Sequence, residues 1–353
     1  MGTLSDPQQK LSEAVSQSSE RVAVLLTSYG EVENYKGFID YNRRASSYIA
    51  SKFIPIPRWL YPVIARILAV QDWYKWGYEH DHFISPQNQL MEKQRAGIEQ
   101  HLQEQWGDRI QVFKAFYFCP PFIESVLAEI QQQGFNKLLI YPLLVVNSVF
   151  TSSIAVEQVN QAMEHLRQGQ SPWLKAVRYI PSFANQPAYI ELMAHQVEAK
   201  ITHELRETFP TQIGIVLAVH GGPAQAQGLL TGAEEGQTLY EQVQAKLINQ
   251  YPLISIGWIN HDTPLMKWSE PDITHAGQNL IQLGAKVVLF KPIGWATDNY
   301  ETILDVEEAI ATLRRQHPEL TYVRMECAND DPAFLHMAAA WANPQVAALL
   351  SRG

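Results

Sequence analysis

The residues best suited to chemistry lie in two short stretches of the C-terminal half. The first, Ile215 to Pro223, reads I-V-L-A-V-H-G-G-P and ends an apolar run on His220 before a sharp turn. An imidazole held there titrates near neutral pH and can take up a proton or bind a metal; the structural alternative is a histidine that caps a strand by bonding to backbone. The second, Thr297 to Asp305, reads T-D-N-Y-E-T-I-L-D. Helical spacing places Glu301, Asp305 and Glu308 at i, i+4 and i+7, three carboxylates on one face. Like charges so spaced repel. The row is either solvated or, next to Trp295, a conductor of cations or protons. Asp298 and Glu301 also have the spacing of a capping box, which would give that pair a purely structural role.

Other candidates are less specific. Aromatic residues crowd the N-terminal half, at Trp59, Tyr61, Trp73, Tyr74, Trp76 and Tyr78 and again from Phe113 to Phe118. Most large aromatics are packing, yet the run from Trp73 to Tyr78 exceeds one helical face and would suit a flat apolar ligand. His80, Asp81 and His82 form either a solvated loop or a divalent-metal site that matches no closed zinc pattern. No dinucleotide fingerprint or Walker loop follows a strand, and the Gly221-Gly222 pair alone is a weak phosphate signal.

A net charge of -9 without a basic cluster argues against nucleic acid as the main partner. The two cysteines, Cys119 and Cys327, are too few for a disulfide framework and sit in apolar company, which fits a reducing, cytoplasmic setting. Residues 1 to 20 are polar and read as a disordered tail rather than a secretory signal. The apolar stretch from Phe53 to Val70 is broken by Pro55, Pro57, Arg58, Pro62 and Arg66. It therefore reads as a surface or pocket-lip segment open to peripheral membrane contact, not as a spanning helix.

The elements that must position these groups alternate. Strand-like runs occur at Val22 to Thr27, Gln111 to Phe118, Lys137 to Leu144 and Ala176 to Ile180, then at Gly214 to Val219, Leu253 to Ile259, Lys286 to Pro292 and Thr321 to Met325. Amphipathic stretches lie between them, for example Pro121 to Gln133, Ser153 to Gly169, Gln186 to Phe209, Gln237 to Asn249, Asp272 to Leu283 and Tyr300 to Arg315. Near-continuous apolar strands alternating with helices predict α/β architecture: two similar Rossmann-like domains, each a parallel four-stranded sheet flanked by helices, with a cleft between them. The expected divisions are 21–184 and 185–340, with a C-terminal tail over 341–353. Ligands of such sheets bind beyond the carboxyl ends of the strands, which selects the neighbourhoods of Tyr29, His220 and Trp295 to Glu301.

In the residues so selected the chain resembles the ferrochelatase family. A-V-H-G-G-P at Ala218 to Pro223 resembles the family's catalytic-histidine motif. Trp258 to Pro271 resembles its loop ending in W-L-x-P. P-I-G-W-A-T-D-N-Y-E-T-I-L-D at Pro292 to Asp305 resembles its signature, and N-D-D-P-A-F at Asn329 to Phe334 its closing motif. In the N-terminal half, T-S-Y-G at Thr27 to Gly30, P-F-I-E at Pro121 to Glu124, T-S-S at Thr151 to Ser153 and the frame from Tyr78 to Ser85-Pro86 are similar to family segments. The chain departs at Asn299, where the family commonly has His, in the loop before Ser85, and at Tyr117-Phe118, where an Arg-Tyr pair is common.

The resemblance implies insertion of Fe2+ into protoporphyrin IX to give protoheme. Iron would be a substrate, with no permanently bound cofactor. It assigns His220 as proton acceptor or transient metal ligand, with Glu301 facing the macrocycle beside it. Asp305 and Glu308 would continue a path for metal or protons, and Trp295 would stack on the ring. Tyr29, Tyr78, Ser85 and Ser153 would serve the pocket wall and propionates, with Lys75 a further candidate. The alternatives are a chelatase for another metal (Co2+, Ni2+, Zn2+) or tetrapyrrole such as coproporphyrin III, and a tetrapyrrole-binding protein without turnover.

Overall fold

The computed structural model describes residues 20–32, 37–53, 57–74, 83–167, 173–223, 230–260 and 267–351. In chain order the first half holds β1 (Val22–Ser28), α1 (Phe38–Phe53), α2 (Tyr61–Asp72), α3 (Gln87–Trp106), β2 (Ile110–Phe116), α4 (Ile123–Gln132), β3 (Lys137–Pro142), α5 (Ser152–Arg167) and β4 (Ala176–Tyr179). After α6 (Pro187–Glu204), the second half holds β5 (Ile213–His220), α7 (Ala233–Leu247), β6 (Leu253–Ile259), α8 (Ile273–Gln282), β7 (Val287–Pro292), α9 (Val306–Gln316), β8 (Thr321–Arg324) and α10 (Pro332–Leu350). A π-helical turn over Glu301–Asp305 leads into α9.

The strands form two four-stranded sheets, ordered β2-β1-β3-β4 and β6-β5-β7-β8, with every pairing parallel. Parallel sheets are covered by helices on both faces, which is why β1, β3 and β7 are buried at every position and β5 at every position before His220. The same logic terminates the helices in both halves. Gly134 and Gly284, just beyond α4 and α8, take φ of 78° and 103°, a left-handed conformation that stops a helix at little steric cost to glycine. All eight expected strands are present, with ends moved by a residue or two.

Four helices were not legible in the apolar spacing, and α3 and α10 show why. Helix α3 buries Gln87, Asn88 and Gln94, so polar residues occupy its inner face and hide the period. Helix α10 is apolar on nearly every face, and it corrects the expected tail: residues 341–350 continue a helix whose Ala342, Val346 and Leu349 are fully buried. This last helix packs on the first sheet, not on the second. The Tyr141 hydroxyl donates to Ala338 O at 3.2 Å, Arg178 to the Gln345 side chain at 2.7 Å, and Lys137 Nζ to Leu349 O at 2.7 Å. Conversely α6, which follows the first sheet, lies against the second, where the Tyr189 hydroxyl donates to Ile293 O at 2.9 Å. One hydrophobic cluster runs through both sheets, joining Val24 and Leu26 to Leu217 and Val219. Each large aliphatic side chain fully buried there contributes roughly 1.5–3 kcal/mol.

The expected tail over 1–20 lies outside the described residues apart from Glu20, whose carboxylate pairs with Lys137. No helix among the described residues is long and apolar enough to cross a membrane.

Candidate functional site

His220 is the last residue of β5, and its ring is set by what lies on either side. Nδ1 is 2.6 Å from Gly221 O, an atom that can only accept, so Nδ1 carries the proton. In the neutral ring the lone pair is then on Nε2, which lies 3.5 Å from Glu301 Oε1. The side chain of His220 is 40% exposed and that of Glu301 17%. Burial opposes a positive charge on the imidazole, but Glu301, by charge and by hydrogen bond, outweighs it. With smaller help from Gly221 O and Asp305, the histidine is raised above its ordinary 6.5. Trp295, 8% exposed, meets the imidazole with ring centroids 5.9 Å apart and braces it from the side.

Glu301 faces the histidine while other residues cap its helix. The capping box falls one position later than Asp298 and Glu301 suggest. Asn299 N–H donates to Thr302 Oγ1 at 2.9 Å, and Thr302 N–H donates to Asn299 Oδ1 at 2.9 Å. Asp298 is instead the hub of a buried network. It accepts from Thr302 Oγ1 at 3.0 Å, Asn329 Nδ2 at 2.8 Å and Cys327 N–H at 3.3 Å, and pairs with Arg324 at 3.5 Å. Asn299, the main departure from the family pattern, therefore has a structural task here. The π turn over Glu301–Asp305 widens the helix at the residues that face the site, a deviation that recurs at functional positions. From Glu301 through half-buried Asp305 to exposed Glu308, the carboxylates lead outward to solvent.

From the N-terminal half, Tyr29 comes close enough to Glu301 to feel its charge. Tyr29, just past β1, donates its hydroxyl to Phe150 O and stacks edgewise with Tyr117 at 5.7 Å. Burial above all, and then the charge of Glu301, keeps that phenol protonated well above its ordinary range. Ser153 lies three residues beyond Phe150, in the first turn of α5. Ser85 is buried and takes the Gln87 N–H at 3.2 Å, which steadies the entry to α3. Tyr78, Lys75 and the His80, Asp81, His82 group lie outside the described residues. Cys119 and Cys327 are buried thiols, and Cys119 Sγ accepts from the Asn88 side chain at 3.8 Å.

Glu31 escaped the sequence reading. It is 7% exposed and accepts the Tyr300 N–H at 3.3 Å from across the two halves. Its signal was an ionisable residue immediately past a buried strand, two positions after Tyr29. Gln94 was missed as well: fully buried in α3, it donates to Ala296 O at 3.2 Å and Asn329 O at 2.9 Å and accepts from Thr297 at 3.0 Å, tying the signature segment to the first half. A cavity of about 790 Å³, lined by His195, Lys291, Cys327 and Asp331 among others, is separate from the pair, since neither His220 nor Glu301 lines it.

Two parallel α/β sheets sharing one core, with an imidazole and a carboxylate row brought together beyond the strand ends, define a chelatase-type protein. The family model described as Ferrochelatase matches residues 21–346, and the chain belongs to that family. It is 23% identical over 335 residues to a ferrochelatase of Gloeothece citriformis, covering 90% of this chain and 81% of that protein. It is 24% identical to a ferrochelatase of Aquifex aeolicus, covering 80% and 85%, and 23% identical to a coproporphyrin III ferrochelatase of Nocardia farcinica, covering 73% of each. Among solved structures, SirB from Bacillus subtilis with Fe3+ has the same fold, with a TM-score of 0.52 at 11% identity over 94% of this chain and 96% of that one.

Proposed function

We propose that this protein inserts Fe2+ into protoporphyrin IX to form protoheme, with His220 and Glu301 as the catalytic pair. The observation that carries this reading is the approach of His220 Nε2 to Glu301 Oε1, 3.5 Å apart, in a chain of the ferrochelatase family. Metalation removes two protons from the pyrrole nitrogens while the iron sheds its water. With Nδ1–H committed to Gly221 O, Nε2 is the nitrogen that receives a proton or transiently binds the metal. Glu301 then stabilises the imidazolium, and acid–base assistance of this kind contributes typically ~10²–10⁴-fold in rate. Oxygen and imidazole ligands suit a ferrous ion that must be handed on, whereas thiolates would retain it. Asp305 and Glu308 extend the carboxylate path, and Trp295 holds the imidazole in line. Tyr29 and Ser153, with Tyr78, serve the wall that faces the macrocycle.

The similarity to a coproporphyrin III ferrochelatase, equal in identity to that of several ferrochelatases, supports coproporphyrin III as a second tetrapyrrole. An anaerobic assay of the purified protein with each porphyrin and with Fe2+, Co2+, Ni2+ and Zn2+ separates the two. Fastest turnover with Fe2+ and protoporphyrin IX is the expected result. Tight porphyrin binding without insertion of any metal would overturn the enzymatic reading. Peripheral membrane contact through residues 53–70 belongs to the same proposal, supported by exposed Trp59, Val63, Ile67 and Val70; co-sedimentation with lipid vesicles tests it.

A further inference from the structure

We infer that Glu31 is a positioning residue for Glu301: from the N-terminal half it accepts the Tyr300 N–H and so fixes the turn that presents Glu301 to His220. The inference deepens the function proposed above and rests on it for the role of Glu301. The first amides of any helix lack intrahelical acceptors and must find others. Here Asn299 and Thr302 satisfy two of them locally. Of the two amides between them, that of Tyr300 is satisfied by Glu31, just beyond β1 in the other half.

The placement of Glu31 is built, not incidental. Gly30 takes φ of 71°, and a Cβ there would lie 2.5 Å from Cys119 Sγ and from Phe116, so the chain turns inward at that point. The backbone of Glu31 is then held from both sides by Asn88 of α3, whose Oδ1 accepts the Glu31 N–H at 2.9 Å and whose amide donates to Glu31 O. Tyr300 is held in turn, its hydroxyl donating to Phe83 O at 3.2 Å. Oε1 takes the Tyr300 amide, Oε2 is buried, and Ser85, Tyr300 and Glu301 are the polar groups that act on the carboxyl.

A carboxylate in that setting is costly, and the proton stays on. Burial above all, opposed by the Ser85 and Tyr300 hydrogen bonds and reinforced by the charge of Glu301, pushes Glu31 up to about 8. At neutral pH it is a neutral acceptor of the Tyr300 amide. Glutamine has the same shape and acceptor, so it should do the same work.

The test compares Glu31→Ala and Glu31→Gln in the full chain. A misplaced catalytic group costs up to roughly a hundredfold. Glu31→Ala should therefore lower kcat ten- to a hundredfold with KM little changed, while Glu31→Gln stays within about twofold of the parent. In the metal-free protein, NMR titration of the His220 ring should show its pKa falling toward 6.5 in Glu31→Ala and unmoved in Glu31→Gln. That reading does not depend on turnover, so it stands or falls separately from the proposed reaction. An unmoved His220 in Glu31→Ala, or equal losses in both variants, would overturn the inference.

Discussion

The two halves are the same scaffold with different chemistry at equivalent points. Thr27 pairs with Pro142 in the first sheet as Ala218 pairs with Pro292 in the second, so Tyr29 and His220, each two residues on, are structural equivalents. Nine residues beyond those prolines stand Thr151 and Glu301. The second half thus has an imidazole and a carboxylate where the first has a phenol and a hydroxyl. Neither of the latter changes charge near neutral pH. Thr151 spends its hydroxyl inside its own loop, donating to Val146 O at 2.8 Å and taking the Ser148 N–H at 2.7 Å. Fold supplies the position beyond the strand end; the side chain decides whether that position holds a proton donor, an acceptor or only a wall.

Glu301→Gln attacks that contrast most strongly. Insertion should fall by at least ~100-fold, and the rising limb of the pH–rate profile, set by loss of the proton from His220, should move to lower pH because the carboxylate that raised it is gone. Thr151→Ala should leave both within about twofold; an equal loss would erase the distinction between the halves.

Leu349→Ala probes the crossing of α10 onto the first sheet, and a fully buried leucine so truncated costs ~2–5 kcal/mol. Denaturant titration should show the loss.

Glu31→Gln sharpens the asymmetry through stability. The folded chain keeps the Glu31 proton up to about 8 while the unfolded chain releases it near 4.5. This contribution is therefore complete below the lower value and declines as pH rises to the upper one, by ~1.4 kcal/mol per unit. The variant should lack that slope, so its advantage over the parent grows between pH 5 and pH 8 in thermal melts.

Asn299→Ala removes one cap and should cost ~1 kcal/mol, with a smaller loss of rate than Glu301→Gln.

The eight strands and the candidate pair were legible because buried parallel strands write themselves as apolar runs, and because His220 and the 292–305 signature each lie on contiguous residues. What escaped depends on distance along the chain. Glu31 and Tyr300 meet only after both sheets fold, and Gln94 reaches Asn329 across the core. The buried polar face of α3 and the uniformly apolar α10 each defeat periodicity from opposite directions. The capping role of Asn299 was hidden by a neighbouring pair with the same spacing.

The most direct measurement is anaerobic insertion of Fe2+ into protoporphyrin IX by the parent protein and by His220→Ala, with circular dichroism confirming that both are folded. Turnover by the parent and loss of at least ~100-fold in the variant is the expected outcome. Full activity in the folded variant would contradict a catalytic His220, and no turnover by the parent with any porphyrin or metal would contradict the proposed reaction itself.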